Sequence, residues 1–169
     1  MKKKRAIVFA LAVLTACILT VYAAQAAPQV PDETPLRQMD AYFAMTKGEI
    51  LAMHGPGYQV VPAGPEGVCD GYFYEDLGLT FAFYPDEDAL ELIDCDESFK
   101  LNGVGAGNLF SEITEALGDT EIIETWMELP EYTVFMLAYH WGDTVYCFLA
   151  FEEDEPVVTF WIYQIPDLD

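Results

Sequence analysis

Thr46-Lys47-Gly48-Glu49-Ile50-Leu51-Ala52-Met53-His54-Gly55 and Leu109-Phe110-Ser111-Glu112-Ile113-Thr114-Glu115-Ala116-Leu117-Gly118 decide the reading of the fold, because each is a short helical stretch that runs into a glycine. A Glu-Ile pair stands at the same distance ahead of the glycine in both. Aromatic and β-branched runs follow each stretch and share a marker: Phe83 ahead of Asp86-Glu87-Asp88 in the first, Phe151 ahead of Glu152-Glu153-Asp154-Glu155 in the second. Glu112 follows Glu49 by 63 positions and Phe151 follows Phe83 by 68. A five-residue loop insertion accounts for the difference at little entropic cost. The sequence therefore predicts an α+β fold of two tandem units, each a short helix plus an antiparallel meander, with the helices packed on one face of the sheet.

Ahead of the first stretch, Leu36, Met39, Tyr42 and Phe43 recur at helical spacing and predict a lead-in helix over 36–45. Thr46 with Glu49 three residues later is a capping box. The strands are expected over 71–74, 79–84 and 90–93 in the first unit, and over 132–140, 144–151 and 157–165 in the second. Residues 27–35 carry three prolines and read as a linker. The domain then occupies 36–169, its repeats meeting near residue 100.

The first 26 residues have a different character. Lys2, Lys3, Lys4 and Arg5 precede an apolar run from Ala6 to Ala24, and Ala24-Gln25-Ala26 supplies small residues for cleavage, which is the pattern of an export signal. The same run is long enough to serve as an uncleaved anchor, and Leu14-Thr15-Ala16-Cys17 would make Cys17 the lipidated first residue of a lipoprotein. All three readings place the folded part outside the cytoplasm, secreted or held at the cell envelope, with the membrane reached only through the N-terminus.

Charge narrows the partners. All 29 acidic residues lie after residue 31, and cleavage after Ala26 would leave Arg37, Lys47 and Lys100 as the cations, a net of −26. Such a surface repels phosphate backbones and anionic lipid headgroups, so nucleic acid is excluded; the acidity serves solubility first, with a basic protein partner or divalent cations as the sharper readings. Cys69, Cys95 and Cys147 remain, an odd number that cannot all pair internally.

Two tandem helix-plus-hairpin units, with Leu101-Asn102-Gly103-Val104-Gly105-Ala106-Gly107 leading into the second, resemble the β-lactamase-inhibitor-protein-like fold and its SmpA/OmlA-type relatives. The resemblance spans roughly residues 36–165 and rests on short motifs. It implies an exported domain whose helices cover one sheet face and leave the other free for a partner protein, or an envelope-assembly role. The inhibitor's contact residues do not map onto this chain one by one, so inhibition of a β-lactamase is not carried over.

Catalytic chemistry finds little support. The two serines, Ser98 and Ser111, lie in no nucleophile elbow, and the acidic neighbours of Cys69 and Cys95 disfavour a thiolate. No cofactor is expected. The acidic turns, through Asp86, Asp88, Glu153 and Asp154, are candidates for weak divalent-cation or glycan binding. The spacing from Asp86 lacks the glycine and the fifth ligand of an EF-hand.

The stronger signal is aromatic. Thr133–Tyr139 and Thr159–Tyr163 are apolar at both parities, whereas a sheet with one wet face alternates. One parity packs under the helices, and the other exposes aromatic side chains unless the lead-in helix, the inter-unit bridge or a homodimer covers them. Tyr139, Trp141, Trp161 and Tyr163 are therefore the candidate anchors of a non-catalytic protein-binding face.

Overall fold

In the computed structural model the described residues are 32–64, 67–118, 122–128 and 133–165. The export signal and Cys17 lie outside them. Helix α1 (Glu33–Phe43) opens with the Asp32 carboxylate accepting from the Thr34 amide at 2.9 Å. It starts ahead of the predicted Leu36 because Pro35 sits in the first turn, where its missing N–H leaves no helical bond unmade. Its Leu36, Met39 and Tyr42 are buried, as their spacing predicts. Helix α2 (Lys47–His54) begins with the expected capping box: the Thr46 hydroxyl accepts from the Glu49 amide, and the Glu49 carboxylate accepts from the Thr46 amide at 2.8 Å. It ends at Gly55, whose φ of +77° suits glycine.

Strands β1 (Gln59–Ala63), β2 (Cys69–Tyr74), β3 (Leu79–Phe83) and β4 (Leu90–Cys95) follow as an antiparallel meander. Helix α3 (Phe110–Leu117) comes next, then β5 (Ile122–Glu128), β6 (Thr133–Trp141), β7 (Thr144–Ala150) and β8 (Thr159–Gln164). The strand order is β1-β2-β3-β4-β8-β7-β6-β5, antiparallel throughout.

This corrects the two-unit expectation. The described residues build one eight-stranded sheet with three short helices, and the presumed boundary between repeats falls on its central seam, where Leu92 to Cys95 of β4 pair with Tyr163 to Phe160 of β8. One apolar core runs beneath all of it, from Leu36, Ile50 and Phe81 to Ile113, Phe148 and Phe160. Phe148 and Phe160 stack at 4.2 Å between ring centres. Helix α1 precedes every strand yet is tied to the last ones. The Tyr146 hydroxyl donates to the Leu36 carbonyl at 3.0 Å, and Thr144 Oγ1 and Gln164 Nε2 both donate to Asp40, at 2.6 and 3.2 Å. Neither half could leave the other without exposing apolar surface.

The helices' buried residues all belong to this main core. Two smaller clusters, Ala63, Cys69, Ala82 and Leu92, and Val134, Cys147 and Leu149, lie outside it and contain no helical residue. Cys69, Cys95 and Cys147 are free and buried. Cys95 belongs to the helix-side core and Cys69 to the smaller cluster, so no bridge joins them.

Candidate functional site

The helix-free face is organised by β8. Its side chains alternate, with Phe160 and Ile162 fully buried toward the helices and Trp161 and Tyr163 half-buried on the other side. Trp161 and Tyr163 pack against both smaller clusters and so join them into one apolar surface. Beside them is a cavity of about 460 Å³, bounded by Cys69, Leu92, Met127 and Cys147 together with the two aromatic rings.

Cys69 belongs to β2 and Met127 to β5, six strand spacings apart in the sheet order. In a flat sheet that is about 29 Å. Both border the same cavity, so the sheet is strongly curled with this face inside. Curling also explains why Val134, Cys147 and Leu149 are at most 2% exposed although no helix covers them. The face is partly closed by its own curvature and by Trp161, Tyr163, Met127 and Met136.

A carboxylate sits within this apolar surface. Asp94 lies opposite Trp161 in the β4–β8 ladder and accepts a hydrogen bond from its side chain. Burial raises the Asp94 carboxyl above the usual aspartate range and the charge of Asp96 adds to this, while the hydrogen bonds from Cys95 and Trp161 pull it back. Burial also pushes the Cys147 thiol up to about 12, and raises Cys69 with help from Glu91 and Asp70. Both thiols are therefore protonated near neutral pH and are poor nucleophiles and metal ligands.

The four predicted aromatic anchors divide between the two faces. Trp161 and Tyr163 meet at the cavity. Tyr139 is buried in the helix-side core beside Tyr146, with 6.1 Å between ring centres. Trp141 packs against that same core, with the Arg37 guanidinium 5.3 Å from its ring centre. The parity of β6 places these two on the helix side of the sheet, Tyr139 buried and Trp141 partly exposed.

The acidic candidates also separate. Asp86, in the left-handed region at φ +66°, and Asp88 lie in the β3–β4 turn, where the Asp88 carbonyl accepts from the Lys47 amide at 2.9 Å. Glu153 and Asp154 lie in the β7–β8 turn, on the rim of a groove beside α3. Among the described residues no three His, Cys, Asp or Glu side chains come together to hold a metal ion. Sequence reasoning did not single out Trp126, which is half-exposed in that groove, or Asp94 as a partner of Trp161.

No protein-family model matches the chain. No curated protein matches it either. It is similar to the crystal structure of a DUF4309 family protein (YjgB) from Bacillus subtilis, at 17% identity over 71% of this chain and 78% of that one, with a TM-score of 0.46. A superposition that loose carries no argument about fold or function. No helix among the described residues is long and apolar enough to cross a membrane.

Proposed function

We propose that this chain is an exported, non-catalytic protein-binding module that uses the curled, helix-free face of its sheet. The observation that carries the reading is the pairing of half-buried Trp161 and Tyr163 at the edge of a cavity large enough to accept an apolar side chain from a partner. Large amphipathic rings in a partly desolvated pocket are the side chains through which protein interfaces gain most of their affinity. Raised thiol pKa values in the same pocket argue against covalent chemistry. Export rests on the basic N-terminus and the apolar run from Ala6 to Ala24.

The test is capture from the producer's secreted and envelope proteins, with Trp161→Ala as the comparison and washing at low and high salt. A discrete partner that survives high salt and is lost with the indole, from a variant that still unfolds in one cooperative transition, supports the proposal. The same partner on the variant, or none at either salt, sinks it. Hydrolytic activity abolished by replacing a single acidic residue would move the protein to the enzymes.

A further inference from the structure

A second surface, built differently, lies on the helix side of the sheet at its β5 edge. A groove of about 870 Å³ runs between the start of α3, strand β5 and the β7–β8 turn. Its floor is aromatic. Trp126 meets Phe135 edge-on with 5.2 Å between ring centres, Phe135 leans on Phe110 at 5.4 Å, and Trp126 remains 51% exposed. Its rim is acidic, with Glu124 from the strand and Glu152, Glu153 and Asp154 from the turn.

Those carboxylates have no internal counter-charge among the described residues. Arg37 is engaged with Glu33 at 2.7 Å and with the Trp141 ring. Lys47 sits over Phe83 at 5.7 Å, and Lys100 donates to the Ala106 carbonyl. None of the three borders the groove. A cation placed there comes from outside the described residues.

The backbone adds a second argument. Strand β5 is seven residues long and ends the sheet, so its outer edge pairs with no described strand. Open edges invite another strand, and charged residues on them select which one. At the opposite end of the sheet, β1 carries Pro62, a residue that an edge strand tolerates. A second copy carries the same acidic rim, Glu124 with Glu152 to Asp154, and that like charge opposes self-pairing. A strand bearing cations meets no such repulsion.

We propose that β5 accepts an extended, lysine- or arginine-bearing segment of a partner protein as an added strand. One cationic side chain lies over Trp126 and is clasped by Glu124 and the Glu152–Asp154 turn. Main-chain bonds supply the affinity, while the indole face and the carboxylates supply the selectivity. The site is on the opposite face from Trp161 and does not depend on the function proposed above.

The experiment titrates the full-length chain against a fluorescent heptapeptide of alternating valine and lysine, read by anisotropy. Saturable binding that weakens with salt is expected. Trp126→Ala should lower affinity about fivefold or more. The exposed-rim variant E152Q/E153Q/D154N should do the same without altering the melting temperature, and Trp161→Ala should leave binding unchanged. Absence of binding overturns the proposal, as does binding indifferent to both groove variants or lost only with Trp161→Ala. Equal binding by a peptide N-methylated at alternate amides, or by its valine–glutamate analogue, would also overturn it.

Discussion

Asp94 on β4 and Trp161 on β8 face one another across the central seam of the sheet, with the Trp161 side chain donating to the Asp94 carboxyl. The pair stands at the point where the two halves of the chain join and beside the apolar surface assigned to partner binding. Its carboxyl is raised above the usual range, chiefly by burial. A folded pKa above the unfolded one means that ionisation works against the fold. The associated stability is fully present below the unfolded value near 3.9 and is lost as pH rises through the folded pKa.

Asp94→Asn removes the ionisation and keeps an acceptor oxygen for Trp161. The variant should melt a few degrees higher at pH 7, about 2–4 °C for each kcal/mol in a domain of this size. The advantage should vanish below about pH 4. Melts followed by near-UV circular dichroism from pH 3 to 8 decide it. A shift of the same size at every pH would show that ionisation is not its source.

His54 titrates in the opposite sense. Its ring stacks on Phe81 and packs against Tyr42 and Tyr74, and its Nε2 has no hydrogen-bond partner. Burial lowers its pKa, with Asp76 partly opposing the shift. The folded pKa lies below the unfolded value near 6.5, so the stability involved is present above that value and is lost as pH falls through the folded one. His54→Phe should raise the melting temperature and flatten its pH dependence below about 6.5. A titration midpoint for the His54 ring at or above 6.5, followed by nuclear magnetic resonance, would contradict this.

Gly71 tests the curled sheet. A Cβ built there would come within 2.7 Å of both the Ala63 Cβ and the Thr80 Cγ2, and 2.9 Å from the Val61 carbonyl oxygen. Neighbouring strands leave it no space, so Gly71→Val should destabilise by about 1–3 kcal/mol through overpacking. Urea denaturation measures it. Near-equality with wild type would mean that β1 moves aside freely.

The helix ends were legible because capping is local: Thr46 and Glu49 declare themselves within four residues. So were the six inner strands, whose aromatic and β-branched runs are long. β1 and β5 were missed for a physical reason. They are edge strands, and the Pro62 of one and the Glu124 and Glu128 of the other suit strands whose outer side is unpaired. The same blind spot hid Trp126. The repeated helix plan was misread as two units because nothing local to a strand specifies its distant partner, and the β4–β8 seam joins residues nearly 70 positions apart. The surplus of apolar residues at both parities pointed to Trp161 and Tyr163, which lie on the helix-free face, and equally to Tyr139 and Trp141, which lie on the helix side, because parity says that two sets of residues differ without saying which set the helices cover.

The attachment of α1 to β7 provides the sharpest test of a single sheet over a single core. The Tyr146 hydroxyl reaches the Leu36 carbonyl across 110 positions of sequence, and beside it buried Thr144 donates to Asp40. Tyr146→Phe keeps the ring and leaves that carbonyl without this donor. The expected cost is about 1–2 kcal/mol, near the upper end for one buried neutral hydrogen bond. Asp40→Ala removes the acceptor of the Thr144 hydroxyl in the same neighbourhood, so the double variant should cost less than the two single ones added. One core also requires every variant to unfold in one transition, with intrinsic fluorescence and far-UV circular dichroism superimposing. Two separated transitions, with Tyr146→Phe moving only one, would mean that the halves fold independently and that the continuous core does not govern stability.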